Sequence, residues 1–355
     1  MRRYGGLWGR ITDPGNILSA FQKAALHKSS HKNVQKTKSL LDERLEEIRL
    51  SLVNKTYTTS KYWEKTVFEP KKRIIYVLPF YPDRIVQHAL MNIVTPIWDK
   101  LFIHDSYACR EKKGIHCGSI RTMQFVRRNK YVLKCDISKF YPSVDQDVLF
   151  EIIKKKIKCP DTLWLFENII KSYPGGKNVP IGNYTSQWFG NLYMNEVDQF
   201  VKHELQKKYG RIDYVRYCDD FCLFNDDKSI LNRCRDELRV YLDEKLKLKF
   251  SKCDIFPVAR GVDFLGYRHF NNYILLRKST TKRVRKRLAT LPGLYEKKKI
   301  TFEQFRSSVA STYGWLKHAN SHNLQVKIQL KELMKFVGEQ QCRNLASLPT
   351  QASHP

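Results

Sequence analysis

The sequence predicts an α+β fold with small antiparallel sheets, on three observations. Two apolar runs, YVRY at 214–217 and FCLF at 221–224, are separated only by Cys218-Asp219-Asp220, which is hairpin spacing. Helical periodicity fills the flanking segments: Phe189, Leu192, Tyr193, Val197, Phe200 and Leu205 share a face upstream, and Leu231, Cys234, Leu238, Tyr241 and Leu242 do so downstream over 229–247. From Arg277 to about residue 340 the chain reads as helical and basic.

The elements follow in order. Residues 38–53 predict an amphipathic helix with Leu41, Leu45, Ile48 and Leu52 on one side. Residues 70–80 read as a strand led by a basic cluster, and 84–98 as a helix with Ile85, Ala89, Asn92 and Ile93 on one face. The run YVLKCD at 131–136 is β-rich and ends on a carboxylate. A helix over 147–158 turns Val148, Ile152 and Ile153 inward. The long helix begins near Thr185, with Thr185 and Ser186 as cap candidates. Residues 263–277 predict a second hairpin, with FLGY (264–267) and YILL (273–276) as arms and Asn271-Asn272 as the turn. The segment 277–299 holds ten basic residues and one acid, Glu296, and the last residues are expected to fray.

Composition narrows the function. Lysine and arginine number 64 against 35 acids, so 64 − 35 gives +29 over 355 residues, with 42% apolar and 12% aromatic content. That excludes an acidic disordered chain and a low-complexity chain, and implies a polyanionic partner, nucleic acid ahead of an acidic membrane surface. No apolar run is long enough to span a bilayer, and Met1-Arg2-Arg3 leads into no signal-like apolar region. The nine cysteines are odd in number and follow no disulfide spacing, which predicts reduced thiols and a cytoplasmic location. Cys218 and Cys222 have no second pair to complete a zinc site.

Three carboxylates stand out by position. Asp136 ends an apolar strand, and Asp219 and Asp220 sit beside a hairpin turn with apolar arms. Acids are depleted in strands, and a buried uncompensated carboxylate is expensive. An isolated Asp-Asp pair would be read as an ordinary exposed turn; the apolar arms and the strand-terminal Asp136 reverse that reading. A divalent cation is the economical reason to gather acids in so basic a chain. Two ions about 3.5–4 Å apart serve in-line phosphoryl displacement, and magnesium needs few protein ligands because it shares substrate phosphates.

These residues resemble a known family. Tyr217-Cys218-Asp219-Asp220 is similar to the Y-x-D-D signature (motif C) of reverse transcriptases, and the segment from Asp136-Ile137 to Asp145 is similar to their motif A. Pro180-Ile181-Gly182 through Ser186-Gln187 to Asn191 resembles motif B, 246–252 motif D, Phe264-Leu265-Gly266-Tyr267 the primer-grip motif E, and the basic strand at 71–77 the fingers motif. The resemblance runs in order from about residue 55 to 280. It implies a right-hand polymerase: N-terminal segment and fingers over 1–130, palm over 131–146, an insertion over 147–180, palm with motifs B to E over 181–276, thumb over 277–340 and a flexible tail over 341–355. Motif B has Ile181-Gly182 where group II intron enzymes read Q-G, and Ser186-Gln187 where they read S-P. The I-G-x-x-x-S-Q form resembles the reverse transcriptases of diversity-generating retroelements, bacterial or phage-encoded, which copy a template-repeat RNA into adenine-mutagenised cDNA alongside an oligomeric, basic, helical accessory variability protein.

The resemblance also implies roles. Asp136 and Asp219 bind two magnesium ions (manganese as substitute), Asp220 assists, and the Ile137 carbonyl touches a triphosphate-bound ion. Tyr141 is the steric gate against a ribose 2′-hydroxyl. Lys72 and Arg73 meet dNTP phosphates and base, or form a solvated basic face. Ile181, Gly182 and Gln187 border the nascent pair, and Lys252, in competition with Lys249 and Lys247, protonates pyrophosphate. Arg277, Lys278, Lys282, Arg283, Arg285 and Arg287 track the template RNA and RNA–cDNA heteroduplex. Tyr4, Trp8 and Arg10 either stack on RNA or pack on the fingers. The alternatives are a retron or phage-defence reverse transcriptase, or a catalytically idle RNA-binding scaffold.

Overall fold

The computed structural model describes residues 3–68 and 72–346, and among these residues nine strands form three sheets. Pro70 and Lys71 of the basic cluster, and the expected tail from residue 347 onward, lie outside the described residues. The strands are β1 (Trp63–Val67), β2 (Arg73–Val77), β3 (Tyr131–Ile137), β4 (Asp213–Tyr217), β5 (Asp220–Asn225), β6 (Phe250–Pro257), β7 (Val262–Phe264), β8 (Tyr267–His269) and β9 (Ile274–Leu276). With the helices between them this is the α+β class that the hairpins and periodic segments predict. No helix among the described residues is long and apolar enough to cross a membrane.

The chain divides into two units, residues 1–114 with 133–255, and residues 115–132 with 256–355. In the first, β1 and β2 form a two-stranded antiparallel hairpin, and a four-stranded sheet runs in the order β4-β5-β3-β6. β4 and β5 are antiparallel, with Tyr217 opposite Asp220, so the turn consists of Cys218 and Asp219 alone. The arms are buried because four of five residues in β4 and five of six in β5 are core. At about 1.5–3 kcal/mol per large buried apolar side chain, Val215, Phe221, Leu223 and Phe224 make this hairpin a rigid mount.

The long helix spans Tyr184–Gln199, and all but four of its sixteen residues are buried. Its cap differs from expectation. Asn183 occupies the N-cap with extended backbone (φ −82, ψ 146), and Thr185 and Ser186 already lie inside the helix. The Ser186 hydroxyl is committed elsewhere, donating to the Pro180 carbonyl at 2.7 Å. At the N-terminus, the Tyr4 amide donates to Lys156 O at 2.7 Å, and the Trp8 ring meets Trp164 edge-on at 5.9 Å. The Trp8 ring is thus packed within the first unit, and Tyr4 is tied there through its backbone.

In the second unit, β7, β8 and β9 form an antiparallel meander beside the helix Ile115–Arg128. The single hairpin expected over 263–277 is thus corrected. FLGY is not an arm: Phe264 pairs with Tyr267, and Leu265-Gly266 is itself a turn with both residues at positive φ (56 and 84). That is the conformation favoured for two-residue hairpin loops. The helices Lys278–Glu296, Phe302–Lys317 and Leu330–Ala346 share a core of Val284, Leu288, Leu291, Phe305, Val309, Leu316 and Leu330.

Candidate active site

The four-stranded sheet brings the three singled-out carboxylates together. β3 carries Asp136 and lies beside β5, which begins at Asp220, with Asp219 in the preceding turn. Burial pushes the Asp219 carboxyl above its usual range, and the nearby charge of Asp136 pushes it further, while Arg73 and Arg216 oppose. Burial pushes Asp220 up to about 6, against Lys134, whose Nζ contacts its Oδ1 at 2.6 Å. Asp136 is oriented from β6: Ser251 Oγ donates to its Oδ2 at 2.6 Å and to its carbonyl at 3.1 Å.

Behind the turn sits a buried ion pair absent from the sequence-based expectations. Arg216, fully buried on β4, meets Asp198 of the long helix through two bonds, Nε to Oδ1 at 2.7 Å and Nη2 to Oδ2 at 2.6 Å. The same guanidinium donates Nη1 to the Cys218 carbonyl at 3.0 Å and to Asn191 Oδ1 at 3.1 Å. Tyr214 OH adds a bond to Asp198 Oδ1 at 2.7 Å. A planar fork suits this arrangement because it holds a carboxylate and a turn carbonyl at once. The signal in the sequence was a lone arginine within an apolar strand, with no local partner to explain it.

The other predicted residues fall as follows. Arg73 is exposed on β2, and its charge acts on both Asp219 and Tyr141; Lys72 is exposed beside it. Burial, with Cys218, Cys109 and Asp219 nearby, holds the half-buried Tyr141 phenol protonated. Its ring packs over Gly190, where an added Cβ would lie 3.3 Å from Tyr141 Cε1 and 3.1 Å from Phe140 Cε1. Ile181 and Gly182 lie against β2: the Tyr76 amide donates to Ile181 O at 2.7 Å, and Arg84 Nη2 donates to Gly182 O at 3.0 Å. Gly182 has φ +120, and a Cβ there would sit 2.5 Å from Tyr76 O, so the close approach requires glycine. Gln187 is exposed in the first turn of its helix, where Cys109 Sγ donates to its Oε1 at 3.4 Å. Lys252 and Lys249 are exposed, whereas Lys247 is engaged with Asp145 Oδ2 at 2.7 Å.

In the second unit, Phe264, Leu265 and Tyr267 are buried, so their side chains serve packing. Lys278, Lys282, Arg283, Arg285 and Arg287 are exposed along the helix Lys278–Glu296, while Arg277, its N-cap residue, pairs with Asp263.

Comparison with known proteins gives the family. The family model for reverse transcriptase (RNA-dependent DNA polymerase) matches residues 64–269, more than half of the chain. The chain belongs to that family, and with it to the right-hand polymerase fold. It is 26% identical to Protein YkfC of Escherichia coli over 259 residues, which covers 61% of this chain and 66% of that protein. It is 22% identical over 309 residues to the group II intron-encoded protein LtrA of Lactococcus lactis subsp. cremoris, covering 65% of this chain and 52% of LtrA. It is 23% identical over 246 residues to the retron Ec73 reverse transcriptase of Escherichia coli, covering 64% of this chain and 72% of that enzyme. The chain therefore spans just under two thirds of the first of these relatives and about half of the second.

The donor set fits divalent ions completed by substrate. Among the described residues no three His, Cys, Asp or Glu side chains gather closely enough to hold an ion unaided. Asp136 nevertheless raises the cost of ionising Asp219, and Asp220 is already offset by Lys134. Two hard carboxylates with the remaining positions left to water and phosphate oxygens are what magnesium ordinarily uses.

Proposed function

We propose that the protein is an RNA-directed DNA polymerase, and that it is of the diversity-generating type. The polymerase reading is carried by one observation: the Asp219 turn and the Asp136 strand end lie side by side within a chain of the reverse transcriptase family. A primer 3′-hydroxyl attacks the α-phosphate of a dNTP, and pyrophosphate leaves. Asp136 and Asp219, with the Ile137 carbonyl, would hold the divalent ions, and Asp220 assists. Bound there, magnesium supplies electrostatic stabilisation to the transferring phosphoryl group. Arg73 and Lys72 receive triphosphate oxygens, Ile181, Gly182 and Gln187 border the nascent pair, and Lys252 delivers a proton to pyrophosphate. Tyr141 crowds the ribose 2′ position, so Tyr141→Ala is expected to raise the ratio of ribonucleotide to deoxynucleotide incorporation.

The diversity-generating reading rests on Ile181-Gly182 and Ser186-Gln187. Isoleucine beside the nascent pair offers shape without a hydrogen bond, so poor pairs are checked less closely. A template-repeat RNA and a basic accessory protein are the partners this reading requires, with the cations from Lys278 to Arg287 on phosphates and the turn at 264–267 near the primer. The retron reading is favoured by a different observation, the 72% coverage of the retron Ec73 enzyme. Deep sequencing of cDNA made on the native RNA decides between them. Frequent errors opposite template adenine support diversification, and near-absent adenine errors remove it.

A further inference from the structure

Two thiols meet beside the catalytic turn, and neither has a part in phosphoryl transfer. Cys218 is the first residue of the turn and immediately precedes Asp219. Cys109 comes from a segment more than a hundred residues earlier, and the two thiols lie close enough for each to shift the other's ionisation. The fold builds this meeting. Residues 105–107 run parallel to β4: the Arg216 amide donates to Asp105 O at 2.9 Å, the Tyr107 amide donates to Arg216 O at 3.0 Å, and Ser106 bridges Arg216. Cys109 lies three residues beyond Ser106, and Cys218 lies two beyond Arg216. Asn191 of the long helix clamps the approach, donating Nδ2 to the Ala108 carbonyl at 2.8 Å. The opposite side is held by Arg216 on the Cys218 carbonyl at 3.0 Å. Cys109 is exposed to solvent and Cys218 is partly so.

We propose that Cys109 and Cys218 form an oxidisable dithiol site for hydroperoxides, and that their disulfide disables the active site by displacing the Asp219 turn. Attack of the exposed Cys109 sulfur on a hydroperoxide breaks the O–O bond, leaving a sulfenic acid and releasing water or an alcohol. The Cys218 sulfur then attacks that sulfenic sulfur, the S–S bond forms, and hydroxide leaves with the thiol proton as water. Two thiols are oxidised by two electrons and one hydroperoxide is reduced. An added dithiol reverses the change by exchange. Closing the pair to a bond of about 2.05 Å draws the two sulfurs together, and Cys109 loses the S–H it gives Gln187. Because the turn has only two residues, the pull passes directly to Asp219, and a shift of about 1 Å at a reacting group costs roughly a hundredfold in rate.

A second thiol pair is the internal comparison. Cys135 and Cys253 lie with sulfurs 3.2 Å apart, but Cys135 is fully buried on β3 and shielded from peroxide.

The crosslink depends only on where the thiols lie, while the loss of rate rests on the active-site reading above, so two readouts keep the failures apart. The full chain is treated with hydrogen peroxide, digested without reduction and searched by mass for a linked Cys109–Cys218 peptide pair lighter by two hydrogens. In parallel, primer extension is measured before oxidation, after it and after dithiothreitol, each protein scaled to its own reduced rate. The expected result for the wild type is the linked pair and a rate loss of about a hundredfold that dithiothreitol restores. Cys109→Ser should keep its own reduced rate under the same treatment, and Cys253→Ser should respond as the wild type does. Free or over-oxidised thiols without the linked pair overturn the site. The linked pair with an unchanged rate overturns its effect on the turn, as does equal inactivation of Cys109→Ser.

Discussion

Two tight turns in this chain share a backbone device and differ in everything built around it. Cys218-Asp219 joins β4 to β5, and Leu265-Gly266 joins β7 to β8; each is two residues long and begins with a non-glycine residue at positive φ, 54 and 56. The first turn is loaded with charge. Asp219 and Asp220 are pushed up by burial and by their neighbours, and Arg216, Lys134 and Ser251 hold the surroundings in place. The second is surrounded by imidazoles, a hydroxyl and aromatic rings. Ser119 bonds His269 at 2.7 Å and His318 at 2.8 Å, His116 bonds Tyr267 OH at 2.9 Å, and Trp315 covers Gly266. Electrostatic cost is thus concentrated at the turn where a ligand can relieve it, and the other turn is closed by satisfied hydrogen bonds and packing.

The comparison breaks most visibly in rate. Asp219→Asn removes a charge that would hold the incoming metal ions, which is worth several kcal/mol, so primer extension should fall by about a thousandfold or more. RNA binding should persist, because the exposed cations from Lys278 to Arg287 remain. Single-turnover extension measured beside RNA retention on a filter separates the two effects. Extension at the wild-type rate would remove Asp219 from the catalytic set.

The next largest effect is on stability. Arg216→Ala leaves Asp198 buried without its partner and frees the Cys218 carbonyl, a loss of about 3–5 kcal/mol. Urea unfolding should show a lower midpoint with an unchanged slope. A loss below about 1 kcal/mol would mean that the pair does not mount the turn.

The contrast between the turns also explains what the sequence made legible. The first was readable because three local facts coincide: apolar arms, minimal spacing and acids where acids are rare. The second was misread because Phe-Leu-Gly-Tyr is an apolar, β-prone string, and a leucine at positive φ is not what the string suggests; Gly266 was the only local mark of the bend. The helix cap was misplaced for a related reason. Thr185 and Ser186 are good cap residues by type, but the cap is decided by which backbone is extended, and that is Asn183. Arg216, Lys134 and Ser251 escaped notice because their partners are distant in sequence. Asp198 lies eighteen residues from Arg216, and Ser251 lies 115 residues from Asp136. Types and spacing reveal the groups that do chemistry when they cluster along the chain, and long-range pairing hides the groups that hold them.

The buried imidazoles of the second turn should reveal themselves through pH. Burial lowers His269 from 6.5 to about 4, with the Val262 carbonyl and Asp263 opposing and His318 adding to the drop, and burial also lowers His318. A histidine whose folded value is depressed stabilises fully above its unfolded value. That stability is lost as pH falls from about 6.5 toward 4, because only the unfolded chain takes up the proton. The loss for His269 is on the order of 3 kcal/mol. Thermal midpoints from pH 7.5 to 4.5 should fall, and His269→Gln should flatten that dependence at the cost of a lower plateau. A parallel decline in both proteins would place the titrating group elsewhere.

The smallest effect tests the shared device itself. Gly266 has φ +84, and a Cβ there would stand 2.8 Å from Trp315 Cζ3 and 3.0 Å from Cη2. Gly266→Ala therefore meets a left-handed backbone penalty of about 1–2 kcal/mol, and it must also push a ring that is stacked on Tyr267 at 5.1 Å. Part of the overlap is relieved by a small ring shift, so the total should be about 2 kcal/mol. Cys218→Ala is the matched change in the other turn. Its backbone already carries a Cβ at positive φ, so that penalty is present in the wild type and cancels, and the loss should stay below about 1 kcal/mol. Chemical denaturation of the two variants side by side reads the difference directly. Equal losses would mean that Trp315 and the glycine contribute nothing specific to the second turn.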